Sequence, residues 1–302
     1  MSENDSNASA DYEREWQLAV TANEAGRLGD ARQHLAAAFT AAQLEGDEDL
    51  VDRAFCNQAA LTMALGDGED PVPRLCAILM RNRSEVNGFL AANNIARACE
   101  LRRDYAKGLF YARIARDRAE ALGRPEWLAT ASNQIANLLL AESYFEEAAT
   151  AYRQALALIP DANSSRQLVY LANLGYCELV LGRYQGGLSL LYRCLRTARR
   201  QKWSRLEMIA RIDLCYGHLE LGRFEAAEQH GRRGLALAEL TGESDWIKNA
   251  LYLLGEVAVL AGADSRAYAW FHELQRRFYP TQNHLPDLLL SIDIRKLINL
   301  RA

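Results

Sequence analysis

Cysteine and histidine are the residue types in this sequence most able to carry out covalent chemistry. One cysteine and one histidine are spaced so that they could act together as a nucleophile and its base. Cys215 and His218 lie three positions apart, which places them on one side of a helix. A histidine so placed can activate a cysteine as a nucleophile. Cys215, however, occupies a position that is small in every copy of the repeat described below. We therefore predict a packing role for it.

Other catalytic and cofactor-binding signatures are absent from the sequence. It contains no P-loop, no dinucleotide glycine fingerprint, no HExxH and no GxSxG. The five histidines show no metal-ligand spacing, and the six cysteines form no CxxC pair. The sequence therefore predicts no metal, no cofactor and a protein that is not an enzyme.

Side-chain amides form a second chemically useful group, because they recur at one phase of successive predicted helices. Nine residues before a repeated turn the sequence has Gln17, Asn57, Asn94, Gln134, Asn173, Asp213 and Leu253. Asparagine is a poor residue for a helix interior, so its recurrence needs a compensating use. An amide both donates and accepts hydrogen bonds, which suits the main chain of an extended peptide. Alternatively, these amides tie adjacent repeats together through backbone hydrogen bonds, and the sequence leaves both interpretations open.

The candidate residues for binding a partner lie on the same helical face. They are amides and one arginine of the middle repeats and three tyrosines of the later repeats: Asn93, Asn94, Arg97, Asn133, Gln134, Asn137, Asn173, Tyr176, Tyr216 and Tyr252. Tyrosine is enriched at protein interfaces, although rings at this spacing also serve as ordinary packing between repeats. The hypothesis is a groove in which amides bind a partner's main chain and aromatic rings bind its side chains.

An internal repeat positions these residues. The phrase "LGRYQGG" at Leu181–Gly187 recurs as "LGRFEAA" at Leu221–Ala227, and the chain contains five further copies. The second residue of each copy is the anchor of the repeat, and the seven anchors are Gly26, Gly66, Arg103, Ser143, Gly182, Gly222 and Gly262. Neighbouring anchors are 37 to 40 residues apart. A regular period of this length predicts a repeat protein built from helical hairpins.

The residues around each anchor predict how the two helices of a hairpin pack. A glycine or another tolerant residue ends the first helix in a turn. The residue seven positions before the anchor is small in every copy, and the residue five positions after it is small except at Pro71. Small residues at a fixed phase on successive helices allow a close crossing, and a large side chain such as Phe145 or Phe224 fills the adjoining space.

This small–large–small pattern resembles the tetratricopeptide repeat family over roughly residues 11–280. The longer period is similar to that of kinesin light chains, mitotic-spindle adaptors and bacterial peptide-sensing regulators, and the phrases "NNIA" at Asn93–Ala96 and "NLG" at Asn173–Gly175 resemble their first helices. The resemblance implies an all-α fold, a right-handed superhelical solenoid of about seven helix pairs. It also implies a concave groove lined by the first helix of each pair.

The predicted helix pairs cover about 11–45, 48–83, 86–122, 125–159, 165–202, 205–241 and 244–278. The second helix of repeat 2 should be short, because "GDGEDPVP" replaces its turn. Residues 1–10 are expected to be disordered, and residues 281–302 to form a C-terminal capping helix over about 285–300. That helix is apolar on more than one side, so its outer face is alternatively a contact with another chain.

Charge and hydropathy narrow the class of protein. A net charge of −4 argues against a general role in binding nucleic acid or anionic membranes. No secretory signal and no apolar stretch of the roughly 18–20 residues that span a bilayer is present, so we expect a cytoplasmic protein. The basic run over 193–205 is interpreted either as a solvated outer face or as a docking patch for an acidic partner or phosphate backbone.

These observations together predict a non-enzymatic interaction scaffold or adaptor that binds a peptide or protein segment in its concave groove. One alternative is a peptide-sensing regulatory protein that acts through a separate effector. Another is an obligate subunit of a larger assembly, with self-association through the C-terminal helix.

Overall fold

A computed structural model describes residues 3–24, 27–66, 68–159, 164–295 and 297–301. In these ranges the chain forms fifteen α-helices and no β-strand. The helices are α1 (Glu3–Glu24), α2 (Leu28–Glu45), α3 (Glu48–Leu65), α4 (Val72–Arg81), α5 (Glu85–Leu101), α6 (Tyr105–Ala121), α7 (Pro125–Ala141), α8 (Phe145–Ala157), α9 (Ser165–Val180), α10 (Tyr184–Gln201), α11 (Ser204–Glu220), α12 (Phe224–Thr241), α13 (Ser244–Leu260), α14 (Asp264–Phe278) and α15 (Leu285–Ser291). None of these helices is both long enough and apolar enough to cross a bilayer.

The chain divides into two compact units, Met1–Leu138 and Leu139–Ala302, with the boundary inside α7. In the first unit α1 packs on α2, α5 packs on α6, and α3 lies beside α5. In the second unit α9 packs on α10, α11 on α12 and α13 on α14, while α9, α11 and α13 lie side by side. Each unit is therefore a stack of helical hairpins. The odd-numbered helices α1 to α13, which begin the hairpins, are termed the A helices.

The seven predicted helix pairs are present in the described ranges. The predicted pair at 205–241, for example, is α11 and α12. The second helix of repeat 2, α4, has only 10 residues, in agreement with its degenerate turn.

Both ends of the chain differ from the prediction. The segment 1–10, expected to be disordered, is helical from Glu3 onwards, and its first two residues lie outside the described ranges. The capping helix predicted over about 285–300 ends at Ser291, and Ile292 is extended with φ −134° and ψ 124°. Beyond it, the N–H groups of Leu297 and Ile298 donate to the carbonyl of Ile294, and side chains form ion pairs with α11 and α13.

The repeated turns have a left-handed backbone at the anchor. Positive φ angles of 59° to 77° occur at Gly66, Arg103, Ser143, Gly182, Gly222 and Gly262, whereas Gly26 lies outside the described residues. After α9, the N–H of Arg183 donates to the carbonyl of Glu178 at 2.8 Å, and the N–H of Gly182 donates to that of Leu179 at 3.0 Å. These are the two hydrogen bonds of a Schellman turn, which explains the preference for glycine at this position.

The small residues permit close crossings of the helices within a hairpin. A Cβ atom on Gly187 of α10 would lie 2.8 Å from the carbonyl oxygen of Gly175 on α9, closer than real Cβ contacts. A Cβ atom on the adjacent Gly186 would lie 3.7 Å from the Glu178 carboxylate, an ordinary contact. The crossing of α9 and α10 therefore requires glycine at position 187 but not at 186.

Larger apolar side chains fill the space between hairpins in each unit. In the first unit Ala96, Ala112 and Leu138 are fully buried, and Tyr105 and Leu109 pack against them. The second unit buries bulkier residues completely, among them Tyr152, Leu168, Leu179, Leu191, Met208, Ile212, Leu214 and Phe271. The packing of these side chains thus fixes the rotation of each A helix, so that equivalent positions of the repeat face the same way within a unit.

Gly187→Ala should lower the free energy of unfolding by about 1–3 kcal/mol, because the added methyl group forces α9 and α10 apart. Gly186→Ala is the matched control and should be neutral or stabilising by up to about 1 kcal/mol, since alanine favours a helix. Chemical denaturation followed by circular dichroism measures both. Equal stabilities of the two variants would contradict the close crossing.

Candidate functional site

Cys215 and His218, the pair considered for nucleophilic chemistry, have different surroundings in the second unit. Cys215 is fully buried on α11, and a Cβ atom on Gly231 of α12 would lie 3.0 Å from its Sγ atom. Burial raises the pKa of the Cys215 thiol to about 12, which keeps it protonated. His218 contacts the hydroxyl of Tyr192. Cys215 thus lies at a helix crossing, as its small-residue position predicts.

His218, His230 and Tyr192 form a buried cluster among α10, α11 and α12. The two imidazole rings are stacked with centroids 5.5 Å apart, and the Tyr192 hydroxyl lies 2.7 Å and 3.4 Å from their Nε2 atoms. Burial lowers the pKa of both histidines, that of His230 to about 4, so both are neutral near pH 7. In the described residues no group of histidine, cysteine or carboxylate side chains is arranged to hold a metal ion.

Two of the candidate amides in the first unit connect neighbouring A helices. Asn94 is buried on α5, and its Nδ2 atom donates to the backbone carbonyl of Cys56 on α3 at 2.7 Å. Gln134 is buried on α7, and its Nε2 atom donates to the carboxylate of Glu100 on α5 at 2.7 Å. For these two residues the geometry favours the alternative in which amides tie repeats together.

The other candidates of the first unit are half-buried on the A helices. Asn93 on α5 and Asn133 on α7 have Oδ1 atoms that are buried and accept no hydrogen bond from any described residue. Arg97 and Asn137, one turn further along the same helices, are also half-buried. These four residues remain candidates for contact with a ligand.

A cavity of about 350 Å³ opens beside α1, α3 and α5 in the first unit. Asn23, Asn57 and Arg97 supply polar groups to its lining, and Trp16 and Val20 supply apolar surface. This combination of a largely apolar wall with a few polar groups is typical of ligand sites.

In the second unit the three predicted tyrosines lie on successive A helices. Tyr176 on α9, Tyr216 on α11 and Tyr252 on α13 are buried, and the first two rings have centroids 6.1 Å apart. Burial raises the pKa of all three hydroxyls above the ordinary value, so they remain protonated. Asn173, one turn before Tyr176, is half-buried.

Residues 292–301, termed the C-terminal segment, contact these A helices through the main chain; within the segment, residue 296 lies outside the described ranges. The N–H of Leu300 donates to the hydroxyl oxygen of Tyr176 at 3.1 Å. The carbonyl of the same residue accepts from Nδ2 of Asn249 on α13 at 2.8 Å. Tyr176 is thus covered by the C-terminal segment.

Asn299 and Arg301 of the C-terminal segment bind at two distinct positions. Nδ2 of Asn299 donates to the carbonyl of Leu140 at 2.6 Å and to Oγ of Ser143 at 3.1 Å. Arg301 forms a 2.5 Å ion pair with Asp213 of α11. Its guanidinium also lies 4.3 Å from the ring centroid of Trp246 and 5.1 Å from that of Tyr176, which are cation–π distances.

Arg295 of the C-terminal segment binds at a third position. It lies 3.0 Å from a carboxylate oxygen of Glu220 on α11 and 3.5 Å from one of Glu256 on α13. Asp293 of the segment itself pairs with the same guanidinium at 2.6 Å. In the second unit, carboxylates of the A helices therefore bind two arginines of the C-terminal segment.

Two of these carboxyl groups have strongly perturbed acidities. Burial raises the pKa of Asp213 to about 6 and that of Glu256 to about 7, although Arg301 and Arg295 act in the opposite direction. A raised carboxyl pKa means that the fold disfavours the ionised form relative to water. Burial therefore opposes ionisation of both carboxyl groups, and the paired arginines partly offset that effect.

These acidic residues are not among the site residues predicted from the sequence. Asp213 belongs to the row of polar residues nine positions before the anchors, where its charge is the one feature that sets it apart from the amides. Glu256 carried a usable signal, because it is the sole charged residue in the apolar run "ALYLLGEVAVL" of α13. Trp246 and Asn249 stand in the first turns of the same helix and carried no comparable signal.

The basic run over 193–205 lies at the end of α10 and the beginning of α11. Several of its arginines and two from neighbouring helices line a cavity of about 580 Å³: Arg196, Arg199, Arg200, Arg211 and Arg233. Arg211 is buried and forms a 2.7 Å ion pair with Glu207. Both interpretations of the run, a solvated surface and a docking patch, remain predictions.

No protein-family model and no curated protein sequence matches the chain. Solved structures do match: a Rap protein complexed with competence and sporulation factor has a TM-score of 0.73 at 12% identity, covering 96% of this chain and 79% of that chain. The apo form of RapI has a TM-score of 0.66 at 10% identity, covering 93% and 80%. A tetratricopeptide repeat protein from Parabacteroides merdae ATCC 43184 has a TM-score of 0.52 at 15% identity, covering 93% and 98%.

The chain has the tetratricopeptide repeat fold. The prediction of fold class made from the small–large–small pattern is confirmed. At 10–17% identity the similarity concerns the tetratricopeptide fold alone.

Asn94→Ala should lower the free energy of unfolding by about 1–3 kcal/mol, because the buried carbonyl of Cys56 loses its donor. The matched control is Asn93→Ala on the same helix, which breaks no such bond, removes a buried acceptor that has no donor, and should therefore leave stability unchanged or raise it. Urea denaturation of both variants measures the difference. A neutral Asn94→Ala variant would argue against the role of this amide as a tie between repeats.

Asp213→Asn should change the pH dependence of stability. The folded chain retains a proton that the unfolded chain loses above about pH 4, so this group stabilises the fold at low pH and the contribution disappears as pH rises through about 6. Between pH 4.5 and pH 8 the wild type should therefore lose up to about 3 kcal/mol of stability that the variant does not lose. The charged and titratable groups that face the carboxyl are Arg301, Tyr176, Cys177 and Cys194.

Thermal unfolding of the wild type and of Asp213→Asn at several pH values measures how the stability of each depends on pH. Asp245→Asn, an exposed carboxylate on α13, is the control. A difference between Asp213→Asn and the wild type that stays constant with pH would contradict the prediction.

Proposed function

We propose that the chain is an interaction scaffold that binds an extended peptide or protein segment along its A helices. One observation carries this proposal: the C-terminal segment lies on the A helices of the second unit outside any regular helix, and the N–H and carbonyl of its Leu300 are bound there. Surfaces that recognise a main chain have the chemistry to bind segments of other chains.

The contacts of Leu300 and Arg301 indicate that different residues recognise the main chain and the side chains of a bound segment. Tyr176 and Asn249 bind the N–H and carbonyl of Leu300, groups that nearly every residue carries. Asp213 and its aromatic neighbours bind a particular side chain, that of Arg301. Main-chain hydrogen bonds contribute affinity for an extended segment, and side-chain positions contribute specificity.

The first unit supports the same function by different means. Its cavity beside α1, α3 and α5 combines apolar and amide surface. Asn93 and Asn133 have carbonyl oxygens without a donor, and a buried unpaired acceptor is costly. We propose that Asn93, Arg97, Asn133 and Asn137 contact the ligand in this unit.

A second candidate function is that of a peptide-sensing regulatory protein acting through a separate effector. The occupation of the second unit by the chain's own segment favours it, because displacement of such a segment converts ligand binding into a structural change. A Rap protein with the same fold is described in complex with competence and sporulation factor.

Selection of peptides from a random library, each about 12 residues long, tests the scaffold proposal. The library is displayed on phage and selected against the full chain. The selected peptides should bind about tenfold more weakly to the double variant Asn93→Ala and Asn133→Ala, because two hydrogen bonds of about 0.5–1.5 kcal/mol each are lost. Isothermal titration calorimetry measures the affinities.

The control for this selection is Met80→Ser, which changes a residue of α4 that is 84% exposed and outside the A helices. This variant should bind the selected peptides as the wild type does. A library that yields no binder, or peptides that bind the double variant and the wild type equally, would refute ligand binding by the first unit.

A further inference from the structure

We infer that the A helices of the second unit form a binding site for an arginine-bearing peptide of a partner, and that the C-terminal segment is the chain's own competitor for this site. The inference rests on the proposed function and specifies the ligand of one unit. The positions occupied by Arg295, Asn299 and Arg301 define the ligand class.

The acidic side chains of the site require a cation. The side chains of Asp213 and Glu256 are each only 3% exposed, and they pair with Arg301 and Arg295 of the C-terminal segment. Withdrawal of one partner from a buried ion pair leaves an uncompensated charge, which is strongly unfavourable. A segment that displaces the chain's own must therefore bring positive charge to both positions.

The position of Arg301 is better suited to arginine than to lysine. Its planar guanidinium lies near the rings of Trp246 and Tyr176 and pairs with Asp213 at 2.5 Å. Guanidinium is less strongly hydrated than ammonium and stacks on aromatic faces. Lysine at this position would keep the charge but lose the stacking.

The position of Asn299 adds a polar requirement. Its Nδ2 atom donates to the carbonyl of Leu140 near the end of α7, one of the last four carbonyls, which have no partner within the helix. The same atom donates to the hydroxyl of Ser143 in the following turn. With Arg295 and Arg301, this residue gives the pattern Arg-x-x-x-Asn-x-Arg for a ligand that adopts the backbone of the C-terminal segment, including its turn after Ile294.

The C-terminal segment is held in a way that permits exchange. Leu297 is 79% exposed and Ile298 is 37% exposed, so the segment is anchored by its polar contacts and buries little of these apolar side chains. It follows α15, which packs on α14, and this connection gives the segment an effective concentration of order millimolar at the site. A partner peptide with arginine and asparagine at the same positions must therefore compete with this effective concentration of the C-terminal segment.

A peptide-binding experiment with the full chain tests this inference. The probe is a fluorescently labelled synthetic peptide, IDIRKLINLRA, which reproduces residues 292–302. Arg301→Glu in the chain places a negative charge against Asp213 and should release the chain's own segment. By fluorescence anisotropy, this variant should bind the probe at least about tenfold more tightly than the wild type, because the internal competitor is removed.

Two controls separate the site from general charge effects. Arg276→Glu makes the same change of charge on α14, at a residue whose side chain is 63% exposed, and should bind the probe as weakly as the wild type. A probe with alanine in place of the residue that matches Arg301 should bind the Arg301→Glu chain at least about tenfold more weakly, since it loses its partner Asp213. Circular dichroism verifies that each chain variant is folded.

The outcomes distinguish the inference from the proposed function. Equal, measurable binding of the probe by the wild type and by Arg301→Glu would overturn the role of the segment as competitor, while the binding function would stand. No binding by either chain would overturn the site and, for this unit, the proposed function. A wild-type dimer that Arg301→Glu dissociates would assign the segment to a second copy and would also overturn the internal competition.

Discussion

The close crossing of two helices within each hairpin is the constraint on which the rest of the structure depends. At the crossing of α9 and α10 the backbones approach so closely that Gly175 and Gly187 leave no room for a Cβ atom. The repetition of small residues at the same two phases gives every hairpin a similar geometry, so equivalent positions on successive A helices have equivalent surroundings. A row of side chains at one phase can then act together, although its members are about 40 residues apart in sequence.

The two units use that row for different purposes. In the first unit, amides at this phase satisfy backbone and side-chain groups of the preceding A helix, as Asn94 does for Cys56, and so strengthen the stack. In the second unit, the equivalent position holds Asp213, whose burial works against the ionised form. A buried charge needs a partner of opposite sign, and here the carboxylates of α11 bind the arginines of the C-terminal segment.

The C-terminal segment shows how tertiary contacts override a local preference. The run "LPDLLLSIDIRKLINL" is rich in apolar residues and would suit a longer helix, yet the helix ends at Ser291. A continued helix would satisfy the backbone of the segment but would withdraw Arg295 and Arg301 from the carboxylates of α11 and α13. The segment keeps two local backbone hydrogen bonds, from Leu297 and Ile298 to Ile294, and its other contacts are ion pairs and hydrogen bonds with the A helices. Because the segment is held by a few polar contacts, a peptide of another chain with arginines at the same positions could take its place on the A helices.

The sequence by itself determined the all-helical fold, the seven hairpins and the turns between their helices. These features are local or periodic: Arg103 and Ser143 are identified as turn residues by their spacing alone, and both have a left-handed backbone. The function of the A helices was only partly readable, because an amide such as Asn94 has the same sequence signature whether it binds a ligand or a neighbouring carbonyl. Only the tertiary structure placed it 2.7 Å from Cys56. It alone brought Arg301 to Asp213 as well, since those residues are 88 positions apart and no periodic signal relates them.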